Sequence, residues 1–163
     1  MNMQHKTITV DQVMSWQPCK YYPRDLVEDL SRKGSADAEH ILGLKIPDHD
    51  KIWVLIHMIE NLDCLLLASS FSDHVVNINT EATTKSLMAS HGDIENPELY
   101  PAEEEIQGWK NGDNTEAQKR AGLAAMWAAV ARGKIELTHE RRIDAYNDER
   151  AWQLEQIKIL MGV

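Results

Sequence analysis

The stretch Cys64-Leu65-Leu66-Leu67-Ala68-Ser69-Ser70-Phe71-Ser72-Asp73-His74-Val75-Val76-Asn77-Ile78 decides how the chain folds. Cys64, Leu67, Ala68, Phe71, Val75 and Ile78 recur at intervals of three and four, the spacing of one helix face, which a strand of period two does not produce. The segment before it is ambiguous on its own. Ile52, Leu55, Ile56 and Ile59 keep the same spacing, and Trp53, Val54 and Met58 make the other faces apolar, as in a helix buried nearly all round. Residues 52–59 are also rich in β-branched side chains and run into a turn-like Glu60-Asn61, which suits a strand as well. With a helix as its neighbour, the segment reads better as a helix, and two helices meeting at Asn61 form an antiparallel hairpin.

Upstream, Gly and Pro fall between periodic segments, as in a helical protein. Residues 11–15 form a brief helix stopped at Gln17-Pro18, because a residue before proline is pushed out of the helical region. Pro23 sits at the first turn of a helix over 24–33, ended by Gly34. Ser35 caps a segment over 36–42 closed by Gly43, and Pro47-Asp48 start the next helix. Downstream, a polar helix over 80–90 stops at Gly92, and residues 93–101, with two prolines, read as a loop. A helix over 102–110 breaks at Asn111-Gly112-Asp113. Thr115 caps a long helix to about residue 132, with Leu123, Met126, Trp127 and Val130 on one stripe and alanines at 121, 124, 125, 128, 129 and 131 that let other helices approach closely. Gly133 marks a turn, and Thr138 begins a last helix through Ile143, Tyr146, Leu154, Ile157 and Met161. The expectation is an all-α single domain over residues 1–163, a multi-helix bundle of about eight helices.

Charge and composition exclude several functions. The 163 residues carry a formal charge of −9 and a pI near 5.2. Such a balance disfavours direct nucleic-acid binding and adhesion to anionic membranes, both of which need a positive surface. Apolar runs such as residues 52–56 and 64–68 fall far short of the ~20 residues that span a bilayer. Residues 1–6 lack the apolar core of a secretory signal, so a cytoplasmic location is expected. Two cysteines, Cys19 and Cys64, cannot build a disulfide framework and read as reduced, buried side chains.

Catalytic constellations are not evident. Among the seven histidines, His57 and Glu60 are spaced i, i+3, and Glu136 and His139 repeat the spacing in the opposite order, straddling a turn. A carboxylate-bridged metal needs two such pairs converging with two further glutamates, so no metal and no cofactor is expected; a metal-dependent helical enzyme is the weakest of three readings. There is no nucleophile elbow, phosphate-cradling loop or dinucleotide fingerprint. The charge distribution says more. From Asp93 to Glu116, the residues Asp93, Glu95, Glu98, Glu103, Glu104, Glu105, Asp113 and Glu116 stand against Lys110 alone, a net of −7 that leaves −2 for the rest of the chain. An acidic belt of this kind steers association with a basic protein. Tyr100 and Trp109, in the same segment, are residue types that anchor interfaces.

The sequence also resembles a family. Ile8-Thr9-Val10-Asp11-Gln12-Val13-Met14-Ser15-Trp16-Gln17-Pro18-Cys19 is similar to the Ser-Trp-x-Pro-Cys opening of a group of small helical bacterial proteins identified as immunity proteins of polymorphic toxin systems, members of which also occur on phages and prophages. Asp50-Lys51-Ile52-Trp53-Val54-Leu55-Ile56 resembles that family's Asp-Arg-Leu-Trp-Val-Val-Leu. Residues 65–75, Trp109-Lys110-Asn111-Gly112, the Ala-rich 121–131 and Glu149-Arg150-Ala151-Trp152-Gln153-Leu154 are similar too. The chain departs from the family at His57, where a basic residue is usual, and in a shorter Ala-rich region. The resemblance implies an all-helical fold in which Trp16, Pro18, Cys19, Asp50 and Trp53 define structure. It also implies a non-enzymatic inhibitor that neutralises a toxin or another nucleic-acid-acting enzyme. Asp93, Glu95, Glu98, Tyr100, Glu103, Glu104, Glu105 and Trp109 are the expected partner-binding residues. A phage-encoded inhibitor of a host defence or nucleic-acid enzyme, imitating DNA charge, is the second reading.

Overall fold

The computed structural model describes residues 6–31, 34–78, 81–90, 105, 108–109, 114–136 and 138–163, and among these are eight helices and one two-stranded ladder. β1 (Ile8–Thr9) leads directly into α1 (Val10–Ser15), where Thr9 and Gln12 form a reciprocal capping box. α1 stops at Trp16, and Gln17 takes a φ of +56° immediately before Pro18. Pro23 precedes α2 (Arg24–Leu30), which ends at Ser31, a turn earlier than the glycine predicts. Gly34, at a φ of +148° that side chains rarely adopt, starts a different element. Ser35 is not a helix cap: Ser35–Ala36 form β2, antiparallel to β1, with Ile8 opposite Ala36 and Thr9 opposite Ser35. Both Ile8 and Ala36 are buried, so the ladder turns one apolar face inward. Asp37 supplies the cap of α3 (Ala38–Gly43) instead, its side chain accepting from the His40 N–H.

The ambiguous segment is helical. α4 (Asp48–Met58) buries Ile52, Leu55, Ile56, His57 and Met58, and its β-branched residues serve core packing. α5 (Asn61–Asp73) follows after Ile59 and Glu60, both extended. The expected hairpin does not close. α4 packs chiefly on α3 and the last two helices, whereas α5 packs on α6 (Glu81–Ser90) and those two. Two consecutive extended residues redirect the chain too far for neighbouring helices to stay side by side. The α5 stripe holds for Cys64, Leu67, Ala68 and Phe71; the helix then ends, and Val75 is buried from the turn that follows.

α7 (Glu116–Lys134) is the centre of the bundle. Thr115 and Gln118 form a second capping box, and 13 of the 19 helical residues are buried. Its alanines allow α5, α6 and α8 (His139–Met161) to close around it. Gly133 does not turn the chain, since α7 runs one residue further. Its missing Cβ accommodates the Arg142 carbonyl, which would lie 3.1 Å from such an atom. Thr138 caps α8 and Gly162 ends it with a left-handed φ of 74°. The all-α reading is therefore correct, with the ladder as its small addition.

Candidate functional site

The opening motif and α4 meet around a cluster of aromatic rings. Because α1 stops at Trp16, the indole turns onto α4, edge-on to Trp53 at 6.0 Å between ring centroids and stacked on His57 at 4.4 Å. Trp109 stacks on the other side of His57 at 5.4 Å, so the imidazole lies between two indoles. Trp109 is itself seated on α7 at Gly122, where a Cβ would fall 2.0 Å from its ring. Glycine at that position is what lets a large side chain lie flat on the central helix.

Both nitrogens of His57 face oxygen. Nδ1 lies 2.7 Å from the Trp53 carbonyl and Nε2 lies 2.5 Å from Asn114 Oδ1. Asn114 has its orientation set by its own amide, which donates to the Gly108 and Trp109 carbonyls at 3.0 Å each. Burial holds the His57 pKa below its ordinary value, while the two oxygens pull the other way. A ring held at both nitrogens offers no free lone pair to a metal, and Glu60 is exposed on the far side of Ile59. Glu136 and His139 lie at the α7–α8 turn, half-buried and exposed. Among the described residues no group of three or more His, Cys, Asp or Glu side chains is arranged to hold a metal ion.

Beside the aromatic cluster lies a polar one. Arg150 on α8 is fully buried, and its Nη2 donates to both carboxylate oxygens of Glu105, at 2.9 and 2.8 Å. Nε and Nη2 also donate to the Tyr146 hydroxyl, at 3.2 and 3.0 Å. Burial works against the guanidinium charge, but Glu105 and Tyr146 outweigh it and keep the Arg150 pKa above its ordinary value. Burial likewise raises the Tyr146 phenol. Close by, the Tyr22 hydroxyl donates to Asp50 Oδ2 at 2.5 Å, and burial together with this carboxylate raises the Tyr22 pKa. Asp50, expected as a fold-defining residue, ties the loop after the opening motif to the first turn of α4.

Tyr22, Asp50, Glu105 and Tyr146 line part of an open cavity of about 860 Å³ bordered by the ladder, α1 to α4 and the Glu105 side. Pro18, Cys19, Asp50 and Trp53, four of the five motif residues, are on its wall, while Trp16 packs behind Trp53. Cys19 is exposed, contrary to expectation, in the irregular segment that follows the end of α1. Cys64 is buried as expected, and its thiol is pushed up to about 12, chiefly by burial.

Two residues expected at a partner interface serve the interior instead. Trp109 is fully buried against Gly122 and His57, so it cannot anchor a surface contact in this fold. Glu105 spends its carboxylate on Arg150. Asp93, Glu95, Glu98, Tyr100, Glu103 and Glu104 lie outside the described residues.

Sequence reasoning missed the polar interior. Besides Arg150, it passed over Glu149, which receives His74 Nδ1 at 2.9 Å and Arg132 Nε at 3.3 Å, and Gln153, whose amide donates to the Ala125 carbonyl at 2.7 Å. His74 also stacks on Trp152 at 3.5 Å. A signal was present: in α8, Glu149, Arg150, Gln153, Ile157 and Met161 share one face, and only the last two are apolar.

Comparison of the chain with family models, curated proteins and solved structures returns no match. Among the described residues no helix is long and apolar enough to cross a membrane.

Proposed function

We propose that the protein is a non-enzymatic binding protein of the immunity type, which neutralises a toxin or another nucleic-acid-acting enzyme by placing an acidic surface over its basic active-site face. The supporting observation is the concentration of charge: seven of nine net negative units fall between Asp93 and Glu116. Glu105 is paired with Arg150, which withdraws its carboxylate from any partner and leaves the segment, by sequence, a net of about −6 for long-range steering. Charge of this kind acts mainly on the rate of encounter and on the exclusion of wrong partners. The family resemblance of the opening motif and of α4 points the same way.

The test neutralises Asp93, Glu95, Glu98, Glu103 and Glu104 together to their amides while leaving Glu105 in place. The variant is used to capture nucleases and other toxins encoded beside the gene, at low and high salt. Expected is a folded variant whose association is slower by about 10-fold or more and whose remaining binding is insensitive to salt. Undiminished binding by the variant, or salt-insensitive binding by the natural protein, overturns the reading.

A further inference from the structure

The buried arginine leaves a hydrogen-bond donor unused on the cavity wall. The phenolic oxygen of Tyr146 accepts from Nε and Nη2 of Arg150, at 3.2 and 3.0 Å, so both N–H groups reach it from one edge of the same guanidinium. A tyrosine hydroxyl also has a proton to donate. The two N–H groups repel that proton to the far side of the oxygen. Among the described residues no acceptor receives it there: Glu105 is engaged by Arg150, and Asp50 by the Tyr22 hydroxyl and His49. Accepting from a cation polarises the O–H bond and makes it a stronger donor. Tyr146 lines the open cavity of about 860 Å³, a volume within the range of ordinary small-molecule sites, roughly 300 to 1,000 Å³. The wall is mainly apolar, with Val10, Val27, Ile41 and Val54 among its side chains. Its charges are matched within the protein: Asp50 Oδ1 lies 3.4 Å from His49 Nε2 while Oδ2 holds the Tyr22 hydroxyl, and Glu105 pairs with Arg150. Lys45 is exposed at the rim, where water screens it.

We propose that this cavity binds a small neutral molecule with an apolar body and one carbonyl-type acceptor, the acceptor oxygen receiving the Tyr146 hydroxyl proton and the body lying against the apolar side chains of α1, α2 and α4. An ion of either sign would lose hydration on entering an apolar site whose wall charges are already matched, so nothing there offsets its desolvation. A pure hydrocarbon would cover the Tyr146 hydroxyl and leave its proton without an acceptor. A carbonyl oxygen supplies that acceptor and brings no charge. The site needs no partner protein and stands independently of the immunity reading.

The experiment is an amide NMR titration of the full chain with 4-phenyl-2-butanone, with ethylbenzene as the apolar reference and with 4-phenylbutylammonium and 4-phenylbutanoate as the charged ones. The ketone is expected to bind more tightly than either ion, with shifts at Tyr146 and Val54. Tyr146→Phe should weaken the ketone by about 5-fold or more, the loss of one hydrogen bond, and leave ethylbenzene unchanged. Leu26→Trp, which narrows the cavity from a position already 37% exposed, should weaken ketone and ethylbenzene alike. Should Tyr146→Phe fail to fold, the infrared carbonyl stretch of the ketone bound to the natural protein must lie below its value in alkane, and its methyl group must show contacts to the Tyr146 ring. A ketone affinity unchanged in Tyr146→Phe, an equal loss for ethylbenzene, an alkane-like carbonyl stretch, tighter binding of either ion, or no ketone binding below about 10 mM overturns the proposal.

Discussion

Glu105→Ala separates a structural carboxylate from a partner-binding one. In the fold, Glu105 is the counter-charge of Arg150, whose side chain is 1% exposed, against 17% for its own. Removing it leaves a buried guanidinium whose remaining partners among the described residues are the Tyr146 hydroxyl and Gln153 Oε1, the latter at a marginal 3.5 Å. Breaking a buried pair from one side costs about 3 to 5 kcal/mol, and the partial exposure of Glu105 places the expected loss toward the lower figure. In urea, with a slope of about 2 kcal/mol per molar, the unfolding midpoint should fall by about 1.5 M. Replacing both partners, Glu105→Met with Arg150→Met, removes the stranded charge and should recover most of that loss. The assay is urea unfolding followed by tryptophan fluorescence, since Trp109 lies four residues from the substitution. A Glu105→Ala protein with an unchanged midpoint would refute the assignment, as would a double variant less stable than the single one.

Three further outcomes follow from the same interior. Gly122→Ala should be far more costly than the ordinary gain from replacing a helical glycine, because its Cβ would fall 2.0 Å from Trp109; a loss of about 1 to 3 kcal/mol, with displaced Trp109 resonances, is expected by NMR and thermal unfolding. Since the folded His57 pKa lies below the unfolded value of about 6.5, the unfolded chain binds more protons in that window. Stability is therefore full above about pH 6.5 and declines toward lower pH by up to about 1.4 kcal/mol per unit, and His57→Phe should flatten that slope relative to the natural protein. A thiol reagent at neutral pH should label Cys19 at once and Cys64 only on unfolding, because Cys64 is buried with its thiol pushed up to about 12; two rapid equivalents would contradict the fold.

The sequence made the helices legible where periodicity and caps agreed. Thr115 and Thr138 lie at the starts of α7 and α8, and the 64–71 stripe faces the core, because caps and stripes are local properties that short windows contain. Elements decided by distant pairing were not legible. Ser35 has the chemistry of an N-cap, but pairing with Thr9 of β1, 26 residues earlier, takes residues 35–36 into a ladder. The hairpin failed for a related reason: Ile59 and Glu60 carry neither Gly nor Pro, so nothing local announces two extended residues between α4 and α5.

The same distinction explains the site. Trp16, Asp50 and Trp53 stood out because they lie in two short motifs that the family resemblance singles out, and the fold does bring them to one region. Arg150 looks like a solvated helix residue until Glu105, 45 positions away, is placed against it. Summed along the chain, Glu105 counts as one more charge in an acidic belt; placed in the fold, it closes the interior of α8. Linear charge density therefore overstates what a surface presents, since a carboxylate with a buried cation contributes little field outside.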